Sequence, residues 1–461
     1  MGPADAGRVL AAWRVPALVL GAAAGALLVA PSSGPWAWVA FGFTTVCVAV
    51  AVSSLEHGPV ITAMSLLALT GFKDALLIVD SASVSVFHAV LAGALLAWFA
   101  RRIREKRFSL PRLSWIEWAL GTPILAGLWS LPTSVAPYTT VAYSGRLVML
   151  WVAAIYVARV IPTADLRVRA LRVFIVAGVA LAAVATVQWV DPELGIGTIA
   201  WQDITGTRHW IVRPAGFFLD PNFLAGHLVL AAVAAVALAS AGGRCWWWAT
   251  GAIPVLVAIA LTSSRTAWLT LSVGMAAVVV LLPGKVRLSL LGIMAAGLVG
   301  GVLVIGPGTV ATRVGSLTDW EPGGSNATRV YMARATVRMI ADRPVFGTGL
   351  EGFSAVYPEY RHPAASDEIA HPHQVAPALV AETGLGGLAA VLAYIAAMAA
   401  AIRRRVRSGL GRDDVALIAG LATVALGSFF QYFLYFESAW LFTGLLIGAA
   451  RLTGAPYLGK E

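Results

Sequence analysis

Apolar and polar positions alternate along this chain in long blocks. Apolar stretches long enough to cross a bilayer, which takes roughly 20 residues per helix, recur from the first residues to the last. Short polar loops separate most of these stretches. The pattern predicts an all-α, polytopic membrane protein with about 12–14 transmembrane helices. We interpret residues 1–461 as a single transmembrane domain.

Hydropathy places candidate spans at about 15–30, 36–53, 59–79, 84–100, 115–132, 140–158, 172–190, 223–241, 246–263, 266–283, 288–305, 375–402, 415–433 and 438–451. The span at 59–79 is weak because Lys73, Asp74 and Asp80 interrupt it, and an interfacial or re-entrant segment is the alternative. The first run resembles a signal peptide, but a second span follows at once, so we expect a retained helix.

Basic residues are concentrated in loops that this set of spans places on one side of the membrane. They are Arg101, Arg102, Arg104, Lys106, Arg107, Arg112, Arg159, Arg167, Arg169, Arg244, Lys285, Arg287, Arg403, Arg404, Arg405, Arg407 and Arg412. By the positive-inside rule that side is the cytoplasm, with both termini inside. Two long connections then lie outside, a first outer loop at 191–222 and a large extracytoplasmic loop at 306–373.

The large loop contains a segment with helical spacing. In residues 328–341, Arg334 and Arg338 stand four positions apart on one predicted helix face. We expect a short amphipathic helix here, lying on or near the membrane. Long connections without structure are uncommon unless they are functional, so both outer loops are candidate sites.

Composition supports one membrane domain rather than a soluble enzyme with an anchor. The chain is 59% hydrophobic and 12% charged, with a mean hydropathy of +0.80, whereas soluble domains carry about 25% charged residues. The net charge of +10 is scattered over short loops, which suits anionic lipids and an anionic substrate rather than nucleic acid. Neither Cys47 nor Cys245 has a disulfide partner or a metal-ligand spacing.

Residues 213–228 form the first polar segment that could carry chemistry. Arg213 stands before a Pro221-Asn222 turn that opens a span, and either Asp220 or Asn222 could cap that helix. Arg213 is thereby placed at the predicted outer boundary of the membrane. The alternative is an arginine that anchors a helix end by extending its charge to water.

Residues 261–271 form the second segment. Arg265 lies between two apolar runs with almost no loop around it, which predicts a tight helical hairpin. An arginine at membrane depth is costly and therefore indicates a functional site. A helix-end anchor is again the alternative.

Residues 343–392 form the third segment, which contains His362, His371 and His373 before a long span. A histidine can act as a general base near neutral pH, because its unperturbed pKa is about 6.5. A zinc site would need further ligands at definite spacing, and the sequence shows none. For His362 and His371 an ordinary surface position is the stronger interpretation.

Two arginines and a histidine at one boundary suggest a site that binds phosphate and transfers a proton. Guanidinium groups match phosphate oxygens, and fixed cations would stabilise a departing pyrophosphate. A neutral histidine could take the proton from an incoming hydroxyl. A lipid pyrophosphate with its head group outside would suit such a site.

The same segments resemble a known family, the membrane proteins that include O-antigen ligase and related polysaccharide polymerases. The matching residues are Arg213, Gly216, Asn222 and Ala225; Ser264, Arg265, Thr266, Ala267 and Trp268; Pro344, Gly347 and Gly349; and His373, Glu382, Gly384 and Gly387. Gln374 departs from the asparagine that usually follows the histidine. The motif region spans 213–392, and the resemblance covers the C-terminal two-thirds of the chain.

This resemblance implies a GT-C-like glycosyltransferase that works without metal or cofactor and with inversion. It implies an undecaprenyl-pyrophosphate glycan donor, a glycan or glycolipid acceptor, and a multi-pass position in the plasma membrane with the site on the periplasmic or extracytoplasmic side. His373 would be catalytic. The substrate-binding residues would be Arg213, Arg265, Arg329, Arg338, Asn222 and Glu382. Arg146, inside a span, could pair within the bundle or reach the donor.

Three alternatives stay open at this point. A polymerase would share the site and differ in its acceptor. A transporter for lipid-linked glycans would have a similar number of helices, but transporters tend to show internal repeats and midplane polar sites. A structural membrane protein would explain neither Arg265 nor the histidine loop.

Overall fold

The structure is a computed structural model. It describes residues 35–71, 75–79, 82–105, 112–194, 196–203, 210–240, 247–282, 306–315, 325–365 and 372–452, with isolated positions between 292 and 303. The predicted span at 15–30 lies outside the described residues, and the span at 288–305 is described at isolated positions alone.

Helices dominate the described part of the chain. They are α1 Pro35–Ser53, α2 Gly58–Leu69, α3 Val86–Arg104, α4 Trp115–Leu120, α5 Thr122–Trp129, α6 Pro137–Val160, α7 Ala164–Val190, α8 Pro221–Ala239, α9 Trp247–Leu261, α10 Arg265–Leu281, α11 Pro307–Gly315, α12 Ser325–Asp342, α13 Phe353–Tyr360, α14 Val375–Thr383, α15 Leu385–Arg407, α16 Arg412–Gly427 and α17 Glu437–Leu452. Short 3-10 turns occupy Leu131–Thr133, Pro192–Leu194 and Phe433–Tyr435.

Five of the described helices are long and apolar enough to cross a membrane, namely α3, α6, α7, α8 and α15. Shorter apolar helices include Gly58–Leu69, Trp247–Leu261 and Arg265–Leu281. The prediction of an all-helical, polytopic membrane protein is confirmed.

Two antiparallel hairpins lie between the helices, and an all-α description omits them. Ala75–Val79 (β1) pairs with Ala82–Ser85 (β2), and Ile199–Asp203 (β3) pairs with Trp210–Pro214 (β4). The predicted span at 59–79 is therefore helical as far as Leu69, with β1 at its end.

Two other predicted spans are broken. The segment 115–132 divides into α4 and α5 at Gly121, because Pro123 has no backbone N–H to continue the first helix. The segment 375–402 divides at Gly384, whose φ of 59° is left-handed and ends α14 before α15 begins.

Each long helix runs between two ends of the bundle. We call the end that holds the polar motifs of residues 213–222, 262–265 and 344–349 the motif end, and the other the opposite end. At the opposite end, Glu117 is fully buried and its carboxylate accepts hydrogen bonds from Arg159 at 3.0 Å and Arg451 at 3.1 Å.

Two further ion pairs lie at the opposite end. Arg167 contacts Asp413 at 2.6 Å, and Arg405 contacts Asp414 at 2.6 Å. The opposite end therefore holds arginines from several loops, and the sequence predicted that these loops share one side of the membrane. Their acidic partners satisfy charges that the packed helices remove from water.

Small residues let the helices approach closely. The most buried span is α8, which packs against α7, α9, α10 and α16. Along α17, Gly444 and Gly448 are four positions apart and lie against the α6 backbone. A Cβ on Gly444 would meet the Ala154 carbonyl oxygen at 2.4 Å. This spacing of small residues is the usual means of close helix packing in membranes.

Candidate functional site

The first two motif segments meet through Asn222 at the motif end. Arg213, on β4, donates from Nε to the Thr262 carbonyl oxygen at 2.8 Å and from Nη2 to Asn222 Oδ1 at 3.1 Å. Ser264 Oγ donates to the same Oδ1 at 2.8 Å. Residues 213 and 264, distant in sequence, are therefore held by one amide side chain.

The caps of α8 and α10 explain why these side chains are held there. Asp220 caps α8, since its Oδ1 accepts from the Asn222 backbone N–H at 2.6 Å. Ser264 caps α10 by accepting from Ala267 N–H at 3.3 Å. The predicted tight hairpin is present: α9 ends at Leu261, α10 begins at Arg265, and Ser263 between them has a left-handed φ of 51°. The N-termini of α8 and α10 thus lie beside the Asn222 network.

Gly216, in the first motif, is held by a residue that the sequence reasoning missed. Its N–H donates to Gln188 Oε1 at 2.9 Å, and Gln188 Nε2 donates to its carbonyl oxygen at 3.2 Å. Gln188 is buried near the C-terminal end of α7, after a run that is apolar from Val173 to Ala185. That isolated polar position was the sequence signal that could have revealed it.

Three arginines from separate elements form a cationic cluster at this end. Burial lowers the pKa of Arg213, and the charges of Arg265 and Arg329 lower it further, while Asp220 acts in the other direction. Burial and the charge of Arg265 also lower the pKa of Arg329. Arg213 on β4, Arg265 on α10 and Arg329 on α12 therefore lie within electrostatic reach of one another.

The predicted amphipathic helix is present as part of α12. Its apolar face, with Met332 and Met339, packs in a small core with Phe353 and Tyr357. The opposite face exposes Arg334 and Arg338, as their spacing predicts. Arg338 therefore points away from that core.

His373 lies two residues before α14, and the start of that helix is fixed by a hydrogen bond. The Val375 N–H donates to the Ser428 carbonyl oxygen at 2.9 Å, which ties α14 to the end of α16. The helix packs against α12, so His373 leads into a helix that neighbours the one bearing Arg329. His373 is partly buried.

The other two histidines differ from His373. His371 lies outside the described residues. His362 stacks on Tyr331 with ring centroids 4.2 Å apart, and its Nδ1 accepts from the Ala364 N–H at 3.1 Å.

The third motif, around Pro344, Gly347 and Gly349, forms a hydrogen-bonded strip that we call the seam, residues 345–350. On one side, the Val135 N–H donates to the Thr348 carbonyl oxygen at 3.0 Å. On the other, the Gly349 N–H donates to the Glu382 carbonyl oxygen at 2.8 Å. The seam therefore joins the α5–α6 connection to the end of α14.

The glycines of this motif are required by the close approach of two backbones. Gly347 has a φ of 72°, and a Cβ there would meet the Glu382 carbonyl carbon at 2.3 Å. Gly384 has a φ of 59°, and its Cβ would meet the Val345 oxygen at 2.3 Å. Since no side chain fits at either position, the family-like glycines have a structural role in the seam.

A second polar cluster lies behind the seam. Glu382 is fully buried, and its Oε2 accepts from the Tyr432 hydroxyl at 3.1 Å. Within the described part of the chain, its Oε1 has no hydrogen-bond partner. Glu351, at the end of the seam, has a left-handed φ of 61° and lies within electrostatic reach of Glu382. Glu382 thus belongs to a buried acidic cluster and is not joined to the Asn222 network by any described contact.

Arg146 pairs within the bundle, which answers the question that its position in the sequence left open. Its Nη2 lies 3.3 Å from Glu437 Oε1, and its guanidinium stands 5.2 Å from the centre of the Tyr435 ring. Glu351 and Tyr435 were not singled out from the sequence, although an acid two positions after the Gly-x-Gly pattern of residues 347–349 was a usable signal. The part of the chain that the structure describes contains no group of three or more potential metal ligands.

Fold and site together define a polytopic, all-helical membrane protein with a cationic cluster at one end of its bundle. Residues 250–392 match the family model described as O-antigen ligase. Over these residues the match confirms the resemblance predicted from the motifs between Ser264 and Gly387. The family supports an enzyme that transfers lipid-linked glycans at a membrane. A search of curated proteins finds no match.

Proposed function

We propose that this protein transfers a glycan from undecaprenyl pyrophosphate to an acceptor hydroxyl on the extracytoplasmic face, as an O-antigen ligase-like enzyme. The observation that carries the proposal is the cationic cluster of Arg213, Arg265 and Arg329. Like charges that share a partly buried site repel one another, so the cluster favours an anionic ligand. The N-termini of α8 and α10 add partial positive charge at the same place.

A diphosphate suits this cluster because it presents several oxygens to separate cations. Arg213 and Arg265 would hold the diphosphate through their guanidinium groups. Asn222 accepts a hydrogen bond from Arg213 and so orients that guanidinium. Arg329 would contact the phosphate, and the exposed Arg338 would contact the glycan.

His373 would be the catalytic base. It would take the proton of the acceptor hydroxyl as the acceptor oxygen forms a bond to the anomeric carbon of the donor sugar. The bond from that carbon to the pyrophosphate oxygen would break at the same time, which inverts the anomeric centre. The negative charge of the departing undecaprenyl pyrophosphate would be stabilised by the arginine cluster.

Glu382 enters this proposal in a supporting role. Its carboxyl group is buried and already accepts a hydrogen bond from Tyr432, so it would act through the protein rather than on the substrate.

The proposal is tested by incubating purified protein with an undecaprenyl-pyrophosphate glycan and candidate acceptors, and identifying the products by mass. We expect His373→Ala to fold and to bind donor but to lose transfer. His362→Ala is the matched control and should retain it. Transfer by His373→Ala at the wild-type rate would refute the assignment of the base.

The acceptor that works in this assay also separates ligase from polymerase. Addition to a different glycan or glycolipid indicates a ligase, whereas addition to a second copy of the donor indicates a polymerase. Movement of intact donor across a vesicle membrane by both variants, without any new glycosidic bond, would instead indicate a transporter.

A further inference from the structure

The seam connects the two elements that carry the candidate site residues. It follows α12, which bears Arg329, and it is hydrogen-bonded to the end of α14, which follows His373. Leu385 N–H donates to the Val345 carbonyl oxygen at 3.1 Å, and Trp129 Nε1 donates to the same oxygen at 2.9 Å. The relative position of Arg329 and His373 therefore depends on a closed seam.

Two carboxyl groups lie at the end of this seam with little compensating charge. Glu382 Oε1 is buried without a hydrogen-bond partner among the described residues, and Glu351 lies within its electrostatic reach. The cation that faces them from α6, Arg146, is already paired with Glu437. Two ionised carboxylates in this setting would repel each other, whereas one shared proton would relieve the repulsion and could satisfy the orphaned oxygen.

The backbone N–H groups of Glu351 and Phe353 favour the ionised form of Glu382, but burial and the charge of Glu351 oppose that form more strongly. The side chains that face the pair do not replace the shared proton. They are Tyr143 on α6, Tyr432 and Tyr435 in the connection between α16 and α17, and Glu437 on α17. The tyrosine hydroxyls can each donate one hydrogen bond, and Tyr432 already donates to Glu382 Oε2. Glu437 adds a further negative charge.

We propose that Glu351 and Glu382 form a proton-sharing pair that keeps the seam closed, and that Glu382 is thereby a positioning residue for the candidate site. When the pair loses its proton, repulsion loosens the contact between the seam and α14. The positioning role rests on the proposed function, whereas the closing of the seam does not.

The direction of the pH dependence follows from Glu351. Burial raises the pKa of Glu351 from 4.5 to about 7, although Arg146 and Tyr435 act to lower it. Since the closed form holds its proton more tightly than the open form, closure is fully favoured below pH 4.5 and is lost as the pH rises through about 7. For one carboxyl with these two values, the open-to-closed ratio rises roughly thirtyfold between about pH 5.5 and pH 8.5.

The test is limited trypsin digestion of the detergent-purified protein across that pH range. Arg338, before the seam, and Arg361, after it, are each followed by a residue other than proline. Their rates of cleavage, divided by the trypsin rate on a model peptide at each pH, report the opening of the seam. We expect the corrected rate to rise roughly thirtyfold in the wild type between the two pH values. In Glu351→Gln it should stay nearly constant, because the titrating carboxyl is gone. In Glu382→Gln the rise should be smaller than in the wild type, because the repulsion between the two carboxylates is removed while Glu351 stays buried. The control Glu359→Gln, an exposed acid on α13, should behave as the wild type.

A wild-type rate that does not change with pH would overturn the proposal, as would a wild-type pH response in both glutamine variants. The pH profile of glycan transfer supplies the second measurement. Its alkaline decline should move in Glu382→Gln relative to the Glu359→Gln control. The resistance to trypsin could respond to pH as expected while the purified protein shows no glycan transfer. That result would count against the proposed function and leave the seam proposal standing.

Discussion

Replacing Gly347 with alanine tests the seam most directly. Its left-handed φ of 72° disfavours any residue with a Cβ. The new methyl group would lie 2.3 Å from the Glu382 carbonyl carbon, 2.4 Å from its oxygen and 2.5 Å from Thr383 N. All three are backbone atoms, so no side-chain rotation can relieve the overlap.

The expected loss of stability combines these two effects. A Cβ in a left-handed backbone costs about 1 kcal/mol, and overpacking at a closed contact costs about 1–3 kcal/mol. We therefore expect Gly347→Ala to lower the free energy of unfolding by about 2–4 kcal/mol. The chain on either side of the seam should also become more accessible to trypsin at Arg338 and Arg361.

The matched control is Gly145→Ala on α6, where a Cβ meets nothing within 4 Å. Alanine is favoured over glycine inside a helix by about 0.5–1 kcal/mol, so this variant should be neutral or slightly more stable. Thermal unfolding in detergent, followed by tryptophan fluorescence, compares the two. A Gly347→Ala protein that melts with the wild type and resists trypsin equally well would show that the backbones do not approach as described.

Four further outcomes are expected. Arg265→Lys keeps the charge but removes the planar fork, so transfer should fall roughly tenfold or more in a kcat/KM measurement; near-normal transfer would argue against diphosphate binding. Asn222→Ala removes the acceptor shared by Arg213 and Ser264 and should raise KM for the donor, which a titration of donor concentration would reveal. Glu117→Ala leaves its two arginine partners without a carboxylate and should cost about 3 kcal/mol of stability in thermal unfolding, while the folded protein keeps its transfer rate. Transfer should persist in EDTA, and a strict requirement for added metal would contradict the mechanism.

The long apolar helices could be predicted from the sequence because their signal is local. In α6, α7 and α8, a single run of apolar residues contains all the information needed to place a span. The segment 59–79 was less clear, since short runs of Leu, Ile and Val are equally compatible with helix and strand. Its division into α2 and β1 depends on pairing with Ala82–Ser85, which hydropathy does not measure.

The candidate site was predictable where its residues are close in sequence or share a motif. Arg213 and Asn222 are nine residues apart, and their motif predicted a common location. The seam was not predictable, because its hydrogen bonds join Val135 to Thr348 and Gly349 to Glu382, across sequence distances at which spacing carries no information. Burial of the Glu382 side chain depends in the same way on Tyr432, fifty residues later.

The contacts of α17 have a consequence for assembly of the protein in the membrane. This helix supplies Glu437 to Arg146, Arg451 to Glu117, and a glycine face to α6. Since α6 precedes α17 by almost three hundred residues, Arg146 gains its partner Glu437 late in synthesis of the chain. The packing of α6 is therefore completed by a helix made much later, and a chain that ends before α17 should lack both the ion pair and the glycine contact.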